Sequence, residues 1–106
     1  MIQEITDQKE FEGITQGQNT AIVSFFADWC IPCREVGPKL EAWAEKFEDK
    51  EFYKVNVDDL MDIAEDEGIS CVPTIIIYKS GCQLEIFEGT DDNKIKELFR
   101  NVSHQF

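Results

Sequence analysis

Residues 20–35 read TAIVSFFADWCIPCRE: an apolar run, a short break, then two cysteines three positions apart with a proline between them. The run at 20–27 is rich in β-branched and aromatic residues, the pattern of a strand covered on both faces. After Cys33, the residues Val36, Leu40, Trp43, Ala44 and Phe47 recur at three- and four-residue steps. That spacing predicts an amphipathic helix with one buried face. Pro38 inside it removes one backbone hydrogen bond and predicts a kink. The cysteines therefore stand between the end of a strand and the start of a helix.

Working outward, FYKVNV at 52–57 predicts a second strand, parallel to the first because a helix crosses between them. DLMDIAEDEG predicts a short helix with Leu60, Ile63 and Ala64 on one face, capped by Asp58 or Asp59 and ended by Gly68. TIIIYK and CQLEIFE flank Ser80-Gly81, a two-residue turn, and predict an antiparallel hairpin. A final helix over about 91–102 turns Ile95, Leu98, Phe99 and Val102 inward. Near the start, Asp7 followed by Glu10 imitates a capping box, with Phe11 and Ile14 on one face. The expected fold class is α/β, a central mixed β-sheet flanked by helices on both faces, in one domain over residues 1–106.

Two cysteines at this spacing can be half of a metal site, a structural bridge or a redox pair. In open α/β sheets, chemistry gathers at the carboxyl ends of strands, where helices begin. The first turn of a helix has unpartnered N–H groups and the positive end of its dipole. A sulfur at Cys30 directed towards those donors loses its proton more easily, and the thiolate is the nucleophile. Cys33, within the first turn and expected to be more enclosed, keeps its proton longer. Cys30 then attacks a target disulfide and Cys33 resolves the mixed disulfide. Pro32 suits the first turn, which needs no backbone donor there. The plainer alternative is two buried cysteines that happen to lie close.

Charge and composition narrow the partners. Asp and Glu outnumber Lys and Arg by 22 to 10, a formal charge of −12, so no basic stripe exists to bind nucleic acid. Such acidity suits partners with basic surfaces, although it also serves solubility alone. The N-terminal residues lack a basic head followed by an apolar stretch, and no run reaches membrane-spanning length, so a soluble cytoplasmic protein is expected, without membrane contact and monomeric. In a reducing cytosol four cysteines point to catalysis or metal binding rather than a disulfide framework. A zinc module would need two further ligands, and Cys71 and Cys82 are not a close pair, so no metal site is expected.

The segment FFADWCIPCREVGP resembles the active-site segment of the thioredoxin family, whose usual form is W-C-G-P-C. Pro38 matches the family's kink proline, Lys54 in KVNVD its strand lysine, CVPTIIIYKSG its cis-proline segment, and Gly89 a recurrent glycine before the last helix. Glutaredoxins resemble C-P-Y-C and protein disulfide isomerases C-G-H-C, so the second-position proline points to the reductant end of the superfamily. The resemblance implies a thioredoxin fold and a protein-disulfide reductase without a cofactor beyond the Cys30–Cys33 disulfide. It implies disulfide-containing target proteins as substrates and an NADPH-dependent flavoprotein, thioredoxin reductase, as electron donor. It further implies a cis Pro73 facing the cysteines and a Val72 whose backbone binds extended substrate. Trp29, Ile31, Pro32, Val72, Pro73 and Gly89 would then form an exposed apolar docking patch. For Trp29 an ordinary core position is the alternative.

Two departures stand out. The family's buried aspartate, six residues before the first cysteine, is Ser24 here. A hydroxyl is no base near neutral pH, so water held by Ser24 and Lys54 would have to carry the Cys33 proton, with greater dependence on bulk pH. Ile31 replaces the usual glycine, and the lost backbone freedom is expected to alter the balance between oxidised and reduced forms by up to about 1 kcal/mol. Cys71, two residues before Pro73, is a candidate regulatory thiol or simply a small loop residue. Cys82 reads as incidental, Asp28 as a solvated charge, and His104 as a residue of a frayed tail without a catalytic role. A binding protein using the patch without turnover is the remaining alternative.

Overall fold

A computed structural model describes residues 2–103, with only the backbone of Val102 and Ser103. His104 and the expected inward side chain of Val102 fall outside the described residues. The elements run β1 (Gln3–Glu4), α1 (Gln8–Thr15), β2 (Ala21–Phe26), α2 (Ile31–Lys46), β3 (Glu51–Asn56), α3 (Met61–Asp66), β4 (Thr74–Lys79), β5 (Cys82–Glu88) and α4 (Asp92–Ser103). The five strands form one mixed sheet in the order β1-β3-β2-β4-β5. β3 runs parallel to β1 and β2, while β4 is antiparallel to β2 and β5.

The period of two along each strand assigns side chains to two cores. Ile22, Phe52, Ile75 and Ile77 pack on one face beneath α2 and α4, which contribute Val36, Leu40, Trp43, Ile95 and Phe99. Ala21, Val23, Phe25, Val55, Ile76 and Tyr78 face the other way, against Phe11 of α1 and Ile63 of α3. Both central strands, β2 and β4, are buried over their first five residues, as a strand covered on both faces requires. Phe99 is fully buried, its ring edge-on to Trp43, Phe47 and Phe52 at 5.4–5.7 Å between centroids.

Local chemistry explains the element ends. Asp7 caps α1 by accepting the Glu10 N–H at 2.8 Å. Glu10 reaches back to the Thr6 N–H at 2.8 Å, one residue beyond the position a standard capping box uses. At the hairpin, Ser80 and Gly81 both have positive φ, 52° and 81°, the signature of the mirror-image turn that matches strand twist. The expected cap of α3 is corrected: Leu60 occupies the cap position and makes no side-chain cap bond. Asp58 instead bonds the Trp29 indole, and its backbone N–H donates to Asn56 Oδ1. β1 is an element that the sequence pattern did not suggest, since its two residues are both exposed. It is held by pairing with β3 and by the Ile5 N–H donating to the Lys54 carbonyl at 2.9 Å.

Candidate active site

β2 delivers the chain to the site end of the sheet, and α2 carries it away. Cys30 is the N-cap of α2, with extended backbone (φ −84°, ψ 110°), Ile31 and Pro32 opening the helix and Cys33 completing its first turn. The Cys30 sulfur takes the place that a Ser, Thr or Asp oxygen takes at an ordinary N-cap, accepting the Cys33 N–H at 3.2 Å. The two cysteines are joined as a disulfide. Cys30 Sγ also lies 3.7 Å from the Val72 carbonyl oxygen, and the Val72–Pro73 peptide is cis.

The expected difference in enclosure is corrected. In the disulfide form Cys30 is 3% exposed and Cys33 8%, so Cys33 is not the more enclosed of the two. What distinguishes them is what they face. Cys30 Sγ meets the helix N-terminus and the Val72 carbonyl, whereas Cys33 borders a cavity of about 290 Å³ between α2 and the sheet. Ser24, Lys54, Pro73, Asp28 and Glu41 also border this cavity. Ser24, 5% exposed, and Lys54 are register partners on β2 and β3, and the Lys54 ammonium stands 5.7 Å from the Phe26 ring. The pair predicted to support proton transfer thus shares one space with Cys33.

Of the residues expected to form an exposed apolar patch, all but one reach the surface. Trp29 and Ile31 are 67% and 68% exposed, so Trp29 is not a core residue, and its indole N–H donates to Asp58 Oδ2 at 2.9 Å. Pro32 is exposed, and Val72 and Gly89 are half-buried. Pro73 is buried: it walls the cavity beneath the patch and its carbonyl accepts the Gly89 N–H at 3.1 Å. Met61 at the start of α3, 69% exposed, was not singled out in the sequence, nor was Asp58 as the partner of Trp29. The register Phe26↔Asn56 sets the segments following β2 and β3 side by side, which a linear reading does not reveal.

The other two cysteines are free thiols. Cys71 is exposed, with its sulfur 3.9 Å from Thr74 Oγ1. Cys82 is exposed and pairs with Lys79 at the hairpin, the opposite end of β4 from Thr74 and the site. Asp28 is exposed, its carbonyl accepting from the Arg34 guanidinium at 2.9 Å. Among the described residues no group of three or more His, Cys, Asp or Glu side chains is placed to hold a metal ion, and no helix is long and apolar enough to cross a membrane.

The sequence profile of the thioredoxin family matches residues 2–102. This chain belongs to the thioredoxin family. It is 35% identical to thioredoxin 1 of Plasmodium falciparum over 103 residues, covering 97% of this chain and 99% of that protein. It is 38% identical to the thioredoxin of Mycoplasma genitalium over 102 residues, covering 95% and 100%. The solved structure of Malassezia sympodialis thioredoxin superposes with a TM-score of 0.91 at 32% identity, covering 95% of this chain and 90% of that one. The thioredoxin fold is therefore established, and with it a dithiol/disulfide oxidoreductase that acts through a redox-active disulfide.

Proposed function

We propose that Cys30 is the attacking thiolate and Cys33 the resolving thiol of a general protein-disulfide reductase. The observation that carries these roles is the Cys30 sulfur at the α2 N-cap, accepting the Cys33 N–H, while Cys33 turns to the cavity. The donor that meets the disulfide sulfur is the one that favours a thiolate there. The thiolate attacks a target disulfide: a Cys30–target S–S bond forms, and the target's other sulfur leaves with the electron pair. Cys33 then loses its proton and attacks Cys30 Sγ, forming the Cys30–Cys33 bond and releasing the second target thiolate. Two electrons pass from the dithiol to the target.

Trp29, Ile31, Pro32, Val72, Pro73 and Gly89 form the substrate-binding region in this reading. The exposed apolar groups dock flexible protein, Val72 offers backbone to an extended segment, and Pro73 supports them from beneath. Ser24 and Lys54 hold the water through which the Cys33 proton leaves. Cys71, exposed two residues before Pro73, is open to oxidation or mixed-disulfide formation. The working unit is one domain over residues 1–106, acting as a monomer in the cytoplasm and recycled by an NADPH-dependent flavoprotein reductase.

Redox titration against glutathione tests this reading, combined with trapping of a substrate adduct by Cys33→Ser. A potential near about −270 mV, the value characteristic of thioredoxins, supports a general reductant. A value near about −180 mV overturns that assignment in favour of an isomerase-like role. The role assignment fails when Cys33→Ser accumulates no adduct or Cys30→Ser retains turnover.

A further inference from the structure

We propose that Glu41 is the proton acceptor that prepares Cys33 for the resolving step, acting through the cavity in place of a carboxylate at position 24. The proposal rests on the assignment of Cys33 as the resolving thiol. Cys33, Gly37 and Glu41 follow one another at four-residue steps along α2 and so lie on one stripe of the helix. All three border the same cavity. The middle position has no side chain, and a Cβ placed at Gly37 would meet nothing within 4 Å. The space along the stripe is therefore open from the thiol to the carboxylate, about 12 Å of helix rise. A water occupies about 30 Å³ of liquid, so a cavity of about 290 Å³ holds a short chain of them.

The orientation of Glu41 is set from the sheet. Its Oε1 accepts the Ile2 N–H at 2.9 Å, and Ile2 itself borders the cavity just before β1. The carboxylate is thereby tied to the strand that pairs with β3, on which Lys54 faces the same space. The other groups around the cavity are poorer acceptors. Ser24 is a hydroxyl, and Lys54 and Arg34 are cations. Asp28 borders the cavity too, but it is an exposed residue of the loop before Trp29 and is not on the α2 stripe that carries Cys33 and Gly37. Glu4, the exposed register partner of Lys54, and Glu45, one turn beyond Glu41 and also exposed, do not border the cavity.

The step balances without an added reagent. The Cys33 proton passes along the water chain to the Glu41 carboxylate, and the Cys33 thiolate attacks Cys30 Sγ. The bond from Cys30 to the target sulfur breaks, its electron pair leaves on the target thiolate, and the proton on Glu41 returns to solvent or to that thiolate. The Lys54 ammonium, in the same cavity, stabilises the negative charge as it moves.

The test follows the adduct formed between reduced protein and oxidised glutathione, quenched in acid and quantified by mass from pH 5.5 to 8.5. Glu41→Gln keeps the acceptor for the Ile2 N–H and removes the base. It is expected to slow glutathione release about tenfold below pH 7, short of the roughly hundredfold or more from a base in direct contact. Iodoacetamide alkylation of Cys30 should keep its native rate and pH profile. Gly37→Leu, which fills the passage without changing any charge, is expected to slow the same step. Ser24→Asp in the Glu41→Gln background is expected to restore it. A release profile for Glu41→Gln that superimposes on the native one overturns the proposal, as does equal slowing of release and of Cys30 alkylation. Failure of Cys33→Ser to accumulate the glutathione adduct would instead overturn the resolving role of Cys33.

Discussion

Replacing Ser24 with aspartate places a carboxyl behind Cys33, and the structure sets both the penalty and the gain. Ser24 is 5% exposed and stands opposite Lys54 in register. Adjacent strands lie about 4.8 Å apart, so the new carboxylate and the ammonium approach within about 5–6 Å. At an effective dielectric of about 20 that attraction is about 3 kcal/mol. Taking a carboxylate out of water costs several kcal/mol, lessened here because the cavity admits solvent. The two terms nearly cancel, with desolvation ahead, leaving a net loss of about 1–3 kcal/mol at neutral pH. This is a substantial part of the ~5–15 kcal/mol that holds such a domain together.

The sign of the pH dependence follows. When desolvation exceeds the attraction, the carboxyl in the folded protein titrates above its unfolded value of about 3.9. The charged form is then the disfavoured one. Ser24→Asp should match the native protein most closely below about pH 4 and lose stability as pH rises through the raised value, about 1.4 kcal/mol for each unit of difference. Thermal melts from pH 3 to 8 measure this loss. The raised carboxyl is also a better acceptor near neutrality, so insulin reduction at pH 7, with dithiothreitol as reductant, should accelerate by up to about tenfold. Glu41 already serves in the native chain, so the acceleration should be smaller there than in the Glu41→Gln background. An unchanged rate and pH profile, together with pH-independent stability, would refute a cavity that exchanges protons with Cys33.

Trp29→Ala should change stability by no more than about 0.5 kcal/mol, because the ring is 67% exposed, yet lower kcat/KM for a protein disulfide about five- to tenfold. Reduction of a small aromatic disulfide should stay within twofold, and an equal loss on both substrates would count against a docking role. Phe99→Ala removes a fully buried ring and three edge-on contacts and should cost about 3–5 kcal/mol, read as a lower denaturant midpoint. Tyr78 is held neutral far above its ordinary range, first by burial and then by its hydrogen bond to Glu67 at 2.6 Å. Burial, followed by the Glu51 hydrogen bond, pushes Tyr53 up to about 12. Both folded values are raised, so their stabilisation is intact below about pH 10 and declines above it. Tyr78→Phe should flatten the alkaline decline in melting temperature, and an unchanged slope would exclude Tyr78 as its source.

The elements legible in the sequence are those whose apolar pattern is dense. β2 and β4 are continuous buried runs, and α2 repeats its apolar residues at helical spacing over 16 residues. β1 was not legible because two exposed residues carry no pattern, and their strand character comes from pairing with β3. The cap of α3 failed for a reason of competition. An aspartate ahead of a helix ordinarily accepts from the first turn, but the Asp58 carboxylate bonds Trp29 across the register of β2 and β3. The same contact holds the indole of Trp29, which is 67% exposed.

The active site divides along the same line. The cysteine pair was legible because it stands between a strand end and a helix start, whereas Pro73 and the apolar residues around it were expected only from the resemblance of their segments to the thioredoxin family. The space behind Cys33 was not legible, because its walls come from β2, β3, the start of the chain, Pro73 and three successive turns of α2. Glu41 in isolation reads as one more solvated carboxylate on the polar side of a helix that also carries Glu35 and Glu45. It becomes chemically distinct only because Gly37 leaves room along the stripe and Ile2 turns the carboxylate inward. Ser24 likewise reads as a lost function until Glu41 is seen on the same cavity. A proton acceptor is defined by the space it shares with the donor rather than by its distance along the chain. Two positions 17 residues apart, Ser24 and Glu41, can therefore exchange that role while the disulfide chemistry stays in place.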